Sequence, residues 1–257
     1  MASDPSARIL KHQADVKILS SHQPNFLCRL KTLAKIASSD IWLVLDDVQF
    51  AHREWQNRTV ISPYRKIDEQ RYLTLPVRRP RGRASLVHEV VCVSPVESLH
   101  KIALTVRHAY SRAPHGKDAY QAIEPLLEEQ TDNLSRLATT SMITAFNLID
   151  RKPPSVLHSS QLTLSQQRVG RLIDATIATG ARYYLSGEGA RAYLTEDTWP
   201  TQISRILWQL PIDSQNNWMK LATCWNHSYI EALARFGREE VAKFLNEYSL
   251  ALRTPAQ

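Results

Sequence analysis

The run Ile41-Trp42-Leu43-Val44-Leu45 contains no polar residue and is stopped sharply on both sides, by Ser38-Ser39-Asp40 and by Asp46-Asp47. A strand with no polar face needs cover on both of its faces, the condition of a strand in a parallel sheet flanked by helices. Upstream, Val16-Lys17-Ile18-Leu19 is a short buried-strand pattern that runs into Ser20-Ser21-His22-Gln23-Pro24-Asn25, where Pro and Asn mark a turn. Between the two runs, Phe26, Leu27, Leu30, Leu33, Ala34, Ile36 and Ala37 recur at helical spacing, and Ser38-Ser39-Asp40 closes that helix. Strand, turn, helix and strand open a parallel α/β sheet through a right-handed crossover. Val16–Leu19, Ile41–Leu45 and Arg182–Leu185 are therefore expected as neighbouring strands, with their carboxyl ends on one edge.

The remaining pattern fills in around this core. Glu54–Pro63, Arg71–Val77 and Leu86–Val93 read as strands of an antiparallel meander inserted in the α/β fold. From Pro95 to Ile149 the periodicity is helical, and Pro153-Pro154 ends it. Ser155–Leu162 is expected as a strand, Ser165–Thr179 as a helix with Ser165 as N-cap and Gly180 just past its end. Ile203–Leu210 reads as a further strand and Tyr229–Tyr248 as a helix broken near Gly237. Residues 1–15 read as a loose leader without the apolar segment of a secretory signal. Residues 16–250 read as one α/β domain.

Composition excludes several classes. With 43% hydrophobic and 22% charged residues, the chain is neither disordered nor fibrous. No apolar run approaches the roughly 20 residues of a membrane span, so no membrane partner is expected. Three cysteines, Cys28, Cys92 and Cys224, lie far apart in odd number, which points to a reducing compartment and a cytoplasmic protein. Nine histidines are scattered with no HxxxH or HExxH pair, and no P-loop is present; no metal and no cofactor are expected. The net charge of +7, part of it concentrated in Arg78-Arg79-Pro80-Arg81-Gly82-Arg83, favours an anionic partner, although the same loop also suits a merely solvated surface.

Four segments carry polar side chains that suit a ligand, three of them at strand carboxyl ends, where such sheets bind ligands, and one in an extended run of the meander. His22 and Gln23 follow the first strand, with Pro24 fixing the chain direction and Asn25 beyond it. His22 titrates near neutrality, as a base should, but a His and Gln that cap the turn fit the same residues. Asp46 and Asp47 follow the second strand, with Gln49 close by. Alternation sends the two aspartates to opposite faces, so one is expected in the His22 cleft and the other as a cap or an Arg partner. In Trp55-Gln56-Asn57-Arg58 the guanidinium suits a carboxylate or phosphate, and equally a structural pair with an aspartate. Ser186-Gly187-Glu188-Gly189, followed by Arg191, follows the third strand, where glycines let backbone approach an anion. Cys28, beside Arg29 at the expected helix start, reads as a buried structural thiol ahead of a nucleophile.

Taken in order, these segments resemble the WbqC-like protein family. The likeness is carried by His22-Gln23-Pro24-Asn25-Phe26-Leu27, Lys35-Ile36-Ala37 with Asp40, Leu45-Asp46-Asp47-Val48-Gln49-Phe50 and Trp55-Gln56-Asn57-Arg58. It continues through Leu73–Val77, Ser159-Ser160-Gln161-Leu162, Tyr184–Tyr193, Ser228–Leu233 and Phe236-Gly237. The chain departs from the family pattern at Cys28, where Pro is usual, at Arg29-Leu30-Lys31-Thr32, at Glu231, where Asp is usual, and around Gln215. The resemblance implies a biosynthetic enzyme of O-antigen or natural-product clusters that transfers an activated aminoacyl group, often glycyl, to an amine.

On that implication His22, Gln23, Asp46 and Asp47 are the catalytic candidates, and Asn25, Gln49, Trp55, Asn57, Arg58, Ser186, Gly187, Gly189 and Arg191 the substrate-binding ones. The expected donor is an aminoacyl-tRNA or an acidic carrier protein, and the acceptor a small-molecule amine, because no nucleotide fingerprint supplies activation within the chain and the basic loop suits a large anion. Two other readings stay open: a nucleotidyltransferase or ATP-dependent amide ligase, and a non-catalytic RNA- or carrier-binding module.

Overall fold

A computed structural model describes residues 17–195, 197–202, 204–212 and 218–254. The residues expected as a leader, and Ile203 and Gln215, lie outside the described residues.

Five parallel strands form the central sheet: β1 (Ile18–His22), β2 (Ile41–Val44), β7 (Ser155–His158), β8 (Tyr183–Ser186) and β9 (Arg205–Trp208). Their spatial order is β7-β2-β1-β8-β9. Leu19 pairs with Ile41 on one side and with Tyr184 on the other, so the three strands expected as neighbours are neighbours, with carboxyl ends on one edge. The chain lays down β1, β2 and β7 in one direction, then returns across β1 to place β8 and β9. The order reverses between β1 and β8.

Strand alternation sorts the apolar side chains into two layers. Ile18, Trp42 and Val44 pack with helix α1 (Leu30–Ala37) in the larger core. Leu19, Ile41, Leu43 and Tyr184 pack with Leu172 and Ala175 of helix α6 (Arg168–Thr179) in the smaller one. Covering the sheet on both faces is what lets β2 be apolar throughout. The long connection from β2 to β7 holds β3 (Arg58–Ile61), β4 (Arg71–Thr74), β5 (Val77–Arg78), β6 (Val91–Cys92) and helices α2 (Pro95–Tyr110), α3 (Gly116–Gln121), α4 (Glu124–Leu127) and α5 (Leu134–Leu148). Helices α7 (Met219–Ala222) and α8 (Tyr229–Arg253) follow β9.

Several expected elements change. The meander is instead two separate antiparallel ribbons, β3 with β4 and β5 with β6. The Leu86–Val93 run does not ladder through its length, because Val87 N–H and His88 N–H donate to the carbonyls of Val48 and Asp46, and Val87–Glu89 winds into a 3-10 turn. Helix α1 starts at Leu30, not Phe26: the Leu27 N–H donates to the Ser141 hydroxyl and Leu27 sits at φ 46°, so Cys28 precedes the helix. Gln167, not Ser165, occupies the N-cap position of α6, with no capping side-chain bond, while Ser165 N–H donates to the Asp174 carboxylate. Strand β7 stops at His158, where Ser159–Gln161 turn as a 3-10 helix. Helix α8 runs to Arg253 through the expected interruption at Gly237.

Candidate active site

In open α/β sheets, ligands bind outside the carboxyl ends of the strands where the strand order reverses. A cleft of about 720 Å³ lies there, walled by Ser21, His22 and Gln23 after β1, Asp47 and Gln49 after β2, and Ser186, Gly187 and Gly189 after β8. Helix α6 closes it with Arg168 and Arg171. Seven of the residues singled out in the sequence meet in this cleft: His22, Gln23, Asp47, Gln49, Ser186, Gly187 and Gly189.

His22 Nδ1 lies 2.8 Å from the Gln23 carbonyl oxygen. A carbonyl only accepts, so Nδ1 carries the proton, and in the neutral ring Nε2 keeps the lone pair. Burial, reinforced by the charge of Lys35, lowers the His22 pKa to about 3, well below the near-neutral titration expected from the sequence, so the imidazole is neutral at physiological pH but only weakly basic. Gln23 Oε1 accepts from Gln56 Nε2 at 2.7 Å, which leaves the Gln23 amide nitrogen as its donor end. The Ser21 and Tyr184 hydroxyls, both on the cleft wall, sit 2.6 Å apart. A Cβ on Gly189 would meet nothing within 4 Å, so this wall leaves room for a ligand to approach the backbone.

The two aspartates part as alternation requires. Asp47 faces the cleft, and its Oδ1 accepts from Arg171 Nη1 at 2.6 Å and from the Ser159 hydroxyl at 2.5 Å. Asp46 faces the opposite side, in a smaller pocket of about 410 Å³, and its Oδ2 accepts from His158 Nδ1 at 2.8 Å. Burial opposes ionisation of Asp46, but hydrogen bonds from His158 and Ser160 outweigh it and hold the carboxyl below the usual carboxylate range.

The other candidates stand apart from the cleft. Asn57 Nδ2 donates to the Leu75 carbonyl at 2.8 Å, a link between ribbon and loop. Arg58 lies over the Tyr72 ring at 4.8 Å and donates to the Arg53 carbonyl, pairing with neither aspartate. The Trp55 ring is covered by Arg29 at 4.5 Å. Arg191 is exposed, paired with Glu188 at 2.6 Å and laid over Trp208. Asn25 is buried and does not line the cleft. Cys28 is buried and its thiol is pushed up strongly by desolvation, so it is a poor thiolate. Among the described residues no three His, Cys, Asp or Glu side chains group as metal ligands, and no helix is long and apolar enough to cross a membrane.

The sequence reading missed the cations of the cleft. Lys35 comes from α1, and Arg168 and Arg171 from the first turn of α6. A signal existed: arginines at the N-terminal turn oppose the helix dipole, and such an arrangement is stabilised when an anion or carboxylate sits between them. The basic loop adjoins this cleft. Arg79 and Arg83 line a neighbouring pocket of about 470 Å³ with Gln49, which lines both and donates to the Arg83 carbonyl at 2.6 Å. Arg81 is taken by Glu89 at 2.7 Å.

A family model of the WbqC-like protein family matches residues 23–237, which takes in the cleft residues from Gln23 onward and begins just after His22. The chain belongs to the WbqC-like family. An uncharacterised protein of Mycobacterium tuberculosis, Rv1507c, is 26% identical over 175 residues, covering 67% of this chain and 73% of that protein. No solved structure matches the chain. The departure from the family pattern at Glu231 lies away from the cleft of this WbqC-like chain: the buried carboxylate holds Arg235 at 2.9 Å, His227 at 3.0 Å and the Ser62 N–H at 2.7 Å, which is a structural hub.

Proposed function

We propose that this WbqC-like chain is an aminoacyltransferase that moves an activated aminoacyl group, a glycyl group in the simplest case, to the amine of a small molecule. The observation that supports the reading best is geometric: a neutral His22, its Nδ1 tied to the Gln23 carbonyl and its Nε2 lone pair kept, in a cation-lined cleft at the reversal of strand order. In the proposed reaction the acceptor amine attacks the donor carbonyl carbon and a C–N bond forms. His22 Nε2 takes the amine proton, the carbonyl oxygen gathers negative charge, and the Gln23 amide is placed to donate to it. The C–O or C–S bond to the carrier then breaks, and the imidazolium returns the proton to the leaving oxygen or sulfur. Asp47, held by Arg171 and Ser159, orders the far wall.

Arg79 and Arg83 next to the cleft support a donor borne on a large anion, an aminoacyl-tRNA or an acidic carrier protein, with activation completed before it arrives. The test is transfer of a radiolabelled aminoacyl group from charged tRNA or carrier to a panel of amines with no ATP present. Amide product without ATP supports the reading. Turnover only with free amino acid and ATP, with pyrophosphate exchange, would replace it by a ligase; salt-sensitive binding without any turnover would replace it by a delivery module.

A further inference from the structure

We propose that Lys35 is the anion anchor of the cleft, its ammonium group taking a phosphate or carboxylate of the bound ligand. The inference rests on reading this cleft as the ligand site, not on the reaction assigned to it.

Helix α1 is buried along nearly its whole length, with Leu30, Leu33, Ala34, Ile36 and Ala37 against the larger core. A lysine among them is out of place on hydrophobic grounds, yet Lys35 is only 6% exposed. Its Nζ donates to the Ser21 carbonyl at 2.8 Å, and no carboxylate of the described residues forms an ion pair with it. Buried charges are nearly always paired, and the remaining two N–H donors of this ammonium have no anion among the described residues. Lys35 lines the cleft, so the open direction for those donors is the cleft itself.

The rest of the wall agrees in sign. Arg168 and Arg171 face the same space, against Asp47, the one carboxylate among the described residues of its lining, which Arg171 and Ser159 already hold. An oxyanion at Lys35 would lie beside the Ser21–Tyr184 hydroxyl pair and near His22, which stays neutral partly because Lys35 is charged. Without a counter-ion, burial lowers the Lys35 pKa to about 8, the penalty that a bound anion would remove. A lysine kept solely to tie down the Ser21 carbonyl would be a costly device, since replacing a buried charge by an apolar side chain of similar shape is often neutral or stabilising.

That contrast supplies the test. Inorganic phosphate and acetate, at matched ionic strength, are titrated into the full-length protein and into Lys35→Met, with binding followed by calorimetry and the Lys35 side chain followed through its 13Cε resonance. Saturable binding is expected for phosphate, acetate or both, and the one that binds tells which group the ligand carries. In Lys35→Met that binding should weaken about tenfold or more while the melting temperature holds or rises. In the unsubstituted protein the bound anion should raise the Lys35 titration midpoint above about 8. A Lys35 midpoint that does not move with anion, or binding as tight in Lys35→Met as in the parent, would overturn the inference, and the NMR arm decides the matter even if the variant does not fold. Anion binding at Lys35 by a protein with no aminoacyl transfer would leave this inference standing and remove only the reaction.

Discussion

His22 stays neutral because its ring is desolvated against a neighbouring ammonium, and that arrangement is also a stability device with a definite sign. In the unfolded chain the imidazole titrates at 6.5, and in the folded protein at about 3, so the unfolded state binds more protons between those values. The stability tied to neutral His22 is whole above pH 6.5 and falls as pH drops towards 3, by at most about 1.4 kcal/mol per pH unit. Urea unfolding at pH 7 and pH 4 should show the parent losing up to about 3 kcal/mol more than His22→Asn. Equal acid sensitivity in the two proteins would mean that the ring is protonated in the fold. The position of His22 was legible in the sequence, since a strand end followed by Pro24 is where such a residue meets a ligand. Its charge state was not, because that depends first on how deeply the fold buries the ring and then on Lys35, one helix away and hidden in an apolar stripe. His158 was missed for the same reason: its meaning comes from Asp46, 112 residues distant.

Among the elements, the break in helix α8 has the clearest cause. Gly237 sits at φ 82°, where side chains are strained, and a Cβ there would stand 2.7 Å from His115 Nδ1. Arg238, just past the break, is fixed by Asp118 of α3 at 2.7 Å, so the kink locks α8 onto that helix. Gly237→Ala is expected to cost about 2 kcal/mol or more through strain and crowding together, read as a lowered urea midpoint at an unchanged m-value. An unchanged midpoint would show that α8 straightens without loss. This break and the α/β core were readable from residue pattern, because glycine in an amphipathic run and all-apolar strands have few other uses. The ribbons were not fully readable. The backbone of Val87 and His88 finds its partners in the loop after β2 rather than in a neighbouring strand, and no local pattern records that choice.

Across the whole molecule, the reversal of strand order gathers chemistry from distant parts of the chain. Residues after β1, β2 and β8 reach one cleft, while Asn57, Arg58 and Trp55, equally singled out in the sequence, stay with the β3–β4 ribbon and its loop. The net charge acts at this scale as well. Arg79 and Arg83 stand at the next pocket along, so on the proposed reading Arg79→Gln with Arg83→Gln should raise the donor KM several-fold, change kcat little and flatten the dependence of KM on salt. If KM and its salt dependence are unmoved, the loop is solvated surface and the donor is held elsewhere.

The central claim is that the cleft between β1 and β8 is the seat of acyl transfer with His22 as its base. The most direct measurement is the rate of amide formation from a charged aminoacyl donor by the parent and by His22→Asn, with both shown to be folded by circular dichroism. Loss of a general base predicts a kcat lower by about a hundredfold or more with donor KM little changed. A His22→Asn protein that forms amide at the parental rate would contradict the claim.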